Sequence, residues 1–399
     1  MASAISFKIF CSKAKENPHS LYFVLCTLCF GLRFSLTKIY PYVTLNKNTI
    51  LEVNFMNIDM NYVTKLLVEI TNIPSCCGYT GKAIDRLQKE FNALGVETHL
   101  TKKKALIGII NGENDDNQKL VSAHIDTLGA VVKEIKANGR LKVTNVGGFA
   151  WNAFEGENLI ISTLDDKEYT GTLLPEKASI HIFSTEVSDT PRNEDTMEIR
   201  LDEDVTTKED TEKLGIRVGD FVNFQPRIEV LENGYIKSRF LDDKACVAAM
   251  FGAIKYLKDN NIKPKNTTQF YISNYEEINH GVSVITDNVS EFLALDIGTV
   301  SYNHTSDEHC VTILAKDTKT PYDLDFRKKL VKIAEDKGID YKIDVHNRYG
   351  SDASAAIVQG FDVSFACIGM GVDATHHYER THVKGIENNG KLLAEYLIC

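Results

Sequence analysis

The chain has 399 residues, of which 43% are apolar and 25% charged, and its formal net charge is −10. That length suffices for two or three domains, and the apolar fraction is too high for a disordered protein. An acidic chain without a basic stripe is not typical of proteins that bind nucleic acid or an anionic membrane surface. The chain contains no run of 18 or more apolar residues, so the sequence predicts no ordinary membrane span.

Residues 1–55 differ from the rest of the chain. Lysines near the start are followed by an apolar stretch, residues 21–32, that ends at Arg33. Three interpretations are open: an extra or dispensable translated segment, a targeting segment, or a genuine structural piece. A targeting signal has a charged start and an apolar run of about this length, but no small-residue cleavage site follows. Met56 and Met60 are both plausible starts, because a helix pattern follows directly.

From residue 60 onward, helix-like and strand-like stretches alternate. Helices are predicted over 61–72, 80–94, 243–258, 322–337 and 385–397, and buried strands over 105–110, 119–124, 268–273, 292–297 and 363–369. This alternation predicts an α/β fold with a mostly parallel or mixed sheet covered by helices. Segment 128–237 instead holds short β-like runs with turn signals. We expect the main α/β domain to comprise 56–127 and 238–399, with 128–237 inserted as a small β-barrel-like domain.

Cysteine usage indicates the redox compartment. The nine cysteines are an odd number and are scattered, with Cys76 and Cys77 adjacent. This is not a disulfide framework and fits a reducing environment. The sequence therefore predicts a cytoplasmic protein.

Polar residues follow the ends of the predicted strands. His124 and Asp126 close the run LVSAHID, where residues two apart face the same way. One could bind a metal ion while the other orients the imidazole. Taken alone, this pair could instead be an ordinary strand end, with a hydrogen-bonded His and an Asp in the following turn. Asp242 and Asp243 stand directly before a helix, where they could be simple helix-capping residues or could require a cation.

Three further groups of polar residues also follow predicted strands. Glu276 and Glu277 end the run QFYISNYEE, and Asp296 ends FLALDIG. Three histidines, His376, His377 and His382, crowd into THHYERTH after another strand. Ligands gather at the carboxyl ends of parallel strands, and imidazole and carboxylate together suit Zn²⁺ and similar ions. The set has enough ligands for two metal ions, which could activate a water and polarise a carbonyl.

The order of these motifs resembles the glutamyl/leucyl-type, tetrahedron-forming (TET) family of dinuclear metallo-aminopeptidases. HxD is followed by DD before a helix, then EE, D and H, with a β-rich insert directly after HxD. Four sequence segments also resemble those of that family: GIRVGDFV, SRFLDDKA, YGSDASAA and THHYERTH. The resemblance covers about residues 60–399. Lys244 departs from it, since many members carry Arg there.

The resemblance implies a role for each residue. His124 and Asp296 would hold one ion, Glu277 and His376 the other, and Asp242 would bridge them. Glu276 would be the general base, and Asp126 would orient His124. His377 stands where a small residue is common, so His376 and His377 both remain possible ligands, and His382 is a third. The ions would be Zn, Co or Mn.

The implied function is a metal-dependent aminopeptidase that removes N-terminal residues from short peptides. The resemblance further implies a large homo-oligomer, a dodecamer of dimers built through 128–237, with no nucleic-acid or membrane partner. Two alternatives are a related dinuclear amidohydrolase or deacylase acting on another small amide, and a catalytically silent relative with the same fold.

We predict that a chain beginning at Met56 folds, binds metal and turns over substrate like the full-length chain. The preceding residues supply none of the predicted ligands, and their apolar stretch would reduce solubility if exposed. Activity and solubility of the two chains, together with mass spectrometry of the native N-terminus, test this prediction. Loss of activity on truncation would instead show that the segment is structural.

Overall fold

The protein forms an α/β domain with an inserted β-barrel, as the sequence predicts. The computed structural model describes residues 56–399. The interpretations of residues 1–55 therefore concern a part of the chain outside the described residues. Within 56–399, no helix is both long enough and apolar enough to cross a membrane.

A mixed 12-stranded sheet forms the centre of the domain, with its main path in the order β1-β2-β12-β3-β13-β17-β18-β11-β10. Of the remaining strands, β14 pairs with β17, and β15 pairs with β16 and β17. The bounds are β1 Glu97–Leu100, β2 Leu106–Ile110, β3 Asn114–His124, β10 Glu229–Val230, β11 Tyr235–Ser238, β12 Asn266–Ser273, β13 Val289–Leu295, β14 Gly298–Val300, β15 Val311–Lys316, β16 Tyr341–Val345, β17 Ser364–Asp373 and β18 Glu379–His382.

The central strands β12, β3, β13 and β17 are mutually parallel. Their carboxyl ends therefore meet at one edge of the sheet. Consecutive side chains of β3, such as Leu120 and Val121, are both fully buried, so both faces of the sheet are covered. The strands also approach closely at this edge. A Cβ on Gly369 of β17 would lie 1.5 Å from the main-chain oxygen of Asp296, so only glycine fits there.

The helices of the described residues are α1 Met60–Thr71, α2 Gly81–Ala93, α3 Ile180–Phe183, α4 Glu186–Asp189, α5 Lys208–Lys213, α6 Leu241–Asp259, α7 Leu324–Lys337, α8 Asp352–Val358 and α9 Val383–Ile398, with short 3-10 turns at Trp151–Ala153 and Glu276–Ile278. Helix α6 is buried along most of its length and packs against α1, α9 and β3. Helix α8 contributes Ala353 and Ala356 to an apolar cluster with Leu120 and Phe292. Side-chain caps mark the start of several of these helices. In α7, for example, the Asp323 carboxylate accepts a hydrogen bond from the Phe326 N–H.

Six antiparallel strands close into a barrel in the order β4-β5-β8-β7-β6-β9. They are β4 Gly129–Ile135, β5 Leu141–Val146, β6 Asn158–Ser162, β7 Glu168–Pro175, β8 Met197–Leu201 and β9 Phe221–Phe224. Phe154, Leu159, Ile199 and Val222 belong to its own apolar core. Strands β10 and β11 follow the barrel in sequence but pair with the large sheet through β18. The domain boundaries at 128 and 237 stay a prediction.

Candidate active site

The predicted site residues come together at the carboxyl edge of the sheet. His124 ends β3, Glu276 and Glu277 follow β12, and Asp296 follows β13. His376 follows β17 three residues after the strand ends. Because these four strands are parallel neighbours, residues distant in sequence become neighbours in space.

Asp242 lies between the two imidazoles. Its Oδ1 is 3.2 Å from Nε2 of His124 and its Oδ2 is 3.5 Å from Nε2 of His376. Nε2 of His376 is also 3.5 Å from Oε2 of Glu277. Nε2 of His124 is 3.8 Å from Oε2 of Glu276. One carboxylate thus faces two nitrogen ligands with different oxygens, which is the arrangement that a bridging ligand requires.

Hydrogen bonds to main-chain oxygens determine which imidazole nitrogen is available. Nδ1 of His124 lies 2.9 Å from the carbonyl oxygen of Asp126, and Nδ1 of His376 lies 2.6 Å from that of Gly148. A carbonyl can only accept, so each Nδ1 carries the proton. In the neutral imidazole, Nε2 then keeps its lone pair and faces the carboxylates, which is the state that a metal ligand needs. Gly148 follows β5, so the barrel takes part in orienting His376.

The Asp126 carboxylate contacts more than the imidazole. Its Oδ1 is 3.6 Å from Nδ1 of His124, which is longer than the bond from that nitrogen to the Asp126 main-chain oxygen. The two carboxylate oxygens accept the N–H groups of Glu276 and Glu277, each at 3.2 Å. Asp126 therefore holds the turn that carries both glutamates, a contact that the sequence pattern does not reveal.

Other buried polar groups surround the site. The His124 N–H donates to Oδ2 of Asp243 at 3.1 Å, and the Thr375 hydroxyl donates to Oδ2 of Asp242 at 2.9 Å. Glu379 accepts the N–H groups of Asp242 and His376. The sequence marks Glu379 only as a member of the metal-rich run THHYERTH, without a specific role, and does not mark Thr375.

The site holds more negative charge than its own positive groups balance. Within residues 56–399, its carboxylates form ion pairs only with the two histidines. Burial, followed by the negative charges of neighbouring carboxylates, raises the pKa of Glu276 and Asp296 well above their usual ranges and that of Glu277 to about 7. Burial alone would lower the pKa of His376, but Glu277 and Asp242 raise it to about 11.

These observations fit divalent cations. Oε1 of Glu277 and Oδ1 of Asp243 are buried and find no hydrogen-bond partner among the described residues. Ligand atoms of His124, Glu276 and Asp296 lie within 4.8 Å of one another. Those of Asp242, Asp243 and Asp296 form a second such group. Buried carboxylates of this kind require a compensating charge, and mixed imidazole and carboxylate ligands suit Zn²⁺, Co²⁺ or Mn²⁺.

The other two histidines of THHYERTH lie outside the cluster. His377 is exposed, and its Nδ1 accepts the N–H of Tyr378 at 2.8 Å. His382 caps α9 through Nδ1, and its Nε2 lies 3.1 Å from the main-chain oxygen of Asn233. Only His376 of the three faces Asp242.

A separate cluster of His304, Asp344 and His346 has metal-like proximity, since its ligand atoms lie within 4.8 Å of one another. However, Nε2 of His346 accepts the N–H of Thr299 at 3.1 Å, and burial lowers the pKa of His346 to about 4. The neutral ring therefore carries its proton on Nδ1, the atom that faces His304. A protonated nitrogen cannot bind a metal ion, so we assign no metal site to this cluster.

Comparison with known proteins identifies the family. The model of the M42 glutamyl aminopeptidases matches residues 105–392. The chain belongs to this family. It is 45% identical to YhfE of Bacillus subtilis over 334 residues, which is 84% of this chain and 96% of that protein. It is therefore an aminopeptidase, a hydrolase of peptide bonds in a metal-dependent family.

Solved structures share the fold. The aminopeptidase APDkam598 from the archaeon Desulfurococcus kamchatkensis superposes with a TM-score of 0.77 at 21% identity, covering 85% of this chain and 95% of that one. The Pyrococcus horikoshii TET1 peptidase gives a TM-score of 0.72 at 23% identity, covering 84% and 99%. That peptidase can assemble into a tetrahedron or a large octahedral shell.

We predict that His376→Ala lowers the metal content of the protein, whereas His377→Ala leaves it unchanged. His376 directs Nε2 at Asp242 and Glu277, while His377 is exposed and bonded to its own neighbour. Both variants are dialysed against limiting Zn²⁺, and bound metal is measured by elemental analysis. A loss of metal in the His377 variant alone would reverse the assignment.

Proposed function

We propose that this aminopeptidase works with two divalent ions and removes N-terminal residues from short peptides. The observation that carries the proposal is the position of Asp242, whose two oxygens face Nε2 of His124 and Nε2 of His376. In this proposal His124 and Asp296 would hold one ion, Glu277 and His376 would hold the other, and Asp242 would contribute to both sites. When bound, the ions would supply an activated water and polarise the scissile carbonyl.

Glu276 is the proposed general base. Its side chain is largely buried beside His124, and burial and nearby carboxylates raise its pKa well above its usual range. A carboxylate of raised basicity can take a proton from water and pass it to the leaving amine. Its main-chain N–H is bound by Asp126, which keeps the side chain at the edge of the site. Asp126 thus orients both the proposed base, Glu276, and the proposed metal ligand His124.

A substrate panel tests the proposed function. Purified protein is incubated with aminoacyl-anilides and, separately, with N-acyl amino acids, each with added Zn²⁺, Co²⁺ or Mn²⁺ and after prolonged chelation. We expect hydrolysis of anilides with a free α-amino group, loss of activity on chelation and recovery with metal. Preferential cleavage of N-acyl substrates would support a deacylase. Full activity in the chelated protein would exclude the two-metal mechanism.

We predict that Glu276→Gln keeps metal and loses turnover, because the amide is nearly isosteric but cannot take a proton. The rate should fall by about 10²–10⁴-fold, the usual contribution of general base catalysis. Glu277→Gln should instead weaken metal binding, because Oε2 of Glu277 faces Nε2 of His376. Turnover and metal content are measured on both variants. The opposite pattern would exchange the two roles.

We also propose a large homo-oligomer in the cytoplasm, a dodecamer built from dimers through residues 128–237. Two apolar side chains of this segment, Ile180 and Ile182, are 55% and 74% exposed, and contact with another copy would cover them. The assembly of the Pyrococcus horikoshii peptidase into a tetrahedron supports the proposal. The six free cysteines of the described residues suit a reducing compartment.

We predict that the purified protein sediments as one large species. Analytical ultracentrifugation at several protein concentrations measures this, with activity assayed on each fraction. A closed assembly would confine the active sites and admit only short peptides. A fully active monomer would exclude the assembly without affecting the proposed chemistry.

A further inference from the structure

Glu379 connects two residues of the site that lie far apart in sequence. It is the first residue of β18 and its side chain is buried. Its Oε1 accepts the N–H of His376 at 3.0 Å, and its Oε2 accepts the N–H of Asp242 at 3.2 Å. Both oxygens of one carboxylate are therefore directed to main-chain groups of two proposed metal ligands.

The position of Glu379 follows from strand pairing. Strand β18 runs antiparallel to β11, and Glu379 is opposite Ser238, the last residue of β11. The chain leaves β11 at this point and reaches Asp242 four residues later. The same register therefore places the Glu379 side chain beside the start of α6 and beside the loop that precedes β18.

The backbone on both sides of this carboxylate has an unusual conformation. His376 has φ of +61° and Ala374 has φ of +57°, a left-handed region that residues other than glycine rarely adopt. Phe240, before α6, has φ of +66°. Such conformations persist only where surrounding contacts hold them. The bond from Glu379 to the His376 N–H is a contact of this kind.

The Glu379 carboxylate forms no salt bridge among the described residues. The neighbouring Arg380 pairs with Glu308, at 2.8 and 2.9 Å, rather than with Glu379. A buried carboxylate costs free energy unless its oxygens are bonded. Here the bonds that offset this cost are those to the Asp242 and His376 N–H groups.

We propose that Glu379 is a positioning residue for the metal centre. Through the two N–H groups it fixes the backbone of Asp242 relative to that of His376, so that Oδ2 of Asp242 and Nε2 of His376 face the same cation. This inference rests on the proposed metal-dependent function. The resemblance to the TET family assigns no role to Glu379, so this inference goes beyond it.

Metal titration of the purified protein tests the proposal. Wild type and Glu379→Gln are stripped of metal by chelation, and binding of Zn²⁺ or Co²⁺ is measured by calorimetry. The amide keeps only one acceptor oxygen and turns an N–H₂ donor toward the other main-chain N–H. We expect the metal Kd to rise by about 10–100-fold, as for other residues that orient metal ligands.

Glu308→Gln is the matched control. Glu308 is also a largely buried carboxylate and pairs with the residue next to Glu379, whereas its ion pair involves no residue of the site. We expect it to lower Tm without changing the metal Kd. Should Glu379→Gln not yield folded protein, Glu379→Asp replaces it, since this shorter side chain keeps the charge but cannot reach both N–H groups.

The outcomes separate the two proposals. If wild type binds metal and the Glu379 variant binds it with the same Kd, the positioning role is excluded. An equal rise in Kd for Glu308→Gln would also exclude it, because the effect would then be one of general stability. Wild type that binds no divalent metal would overturn both the proposed function and this inference.

Discussion

Crowded buried carboxylates are the constraint on which the rest of the site depends. Asp242, Asp243, Glu276, Glu277 and Asp296 lie together where water is largely excluded, and only two imidazoles face them among the described residues. Removing such charges from water costs on the order of several kcal/mol per group unless a partner compensates. Burial, followed by the negative charge of neighbouring carboxylates, raises the pKa values of Glu276, Glu277 and Asp296. Divalent cations would supply the positive charge that the side chains lack.

Main-chain hydrogen bonds organise the groups around that charge. Asp243 binds the N–H of His124, and Asp126 binds those of Glu276 and Glu277. Glu379 binds those of Asp242 and His376. A carboxylate that accepts backbone N–H groups fixes the main chain of the residues it contacts. The side chains of those residues stay free to face the centre of the site.

The barrel is also tied to this centre. The carbonyl of Gly148 binds Nδ1 of His376, and Asn223 of β9 accepts the N–H of Cys76 through its side chain at 3.0 Å. A Cβ on Gly129, at the start of β4, would lie 2.4 Å from the sulfur of Cys76. The inserted barrel therefore contributes directly to the orientation of one proposed metal ligand, in addition to any part it has in assembly.

The sequence by itself determined the α/β class, the main helices and strands, and the order of polar residues after the strands. Buried parallel strands appear in a sequence as short apolar runs, and polar residues at their ends stand out against them. This contrast is why His124, Glu276, Glu277 and Asp296 can be proposed as site residues from the sequence alone. The β-rich character of 128–237 is visible in the same way, from its short runs and turn residues.

Only the tertiary structure decided how these residues meet. Closure of the barrel, the separation of His376 from His377, and the contacts of Asp126 and Glu379 all depend on pairings between distant segments. The bond from Glu379 to Asp242 spans 137 positions, and that from Gly148 to His376 spans 228. Local patterns report burial and periodicity, whereas such bonds depend on strand register and on the path of each loop, which no short stretch of sequence specifies.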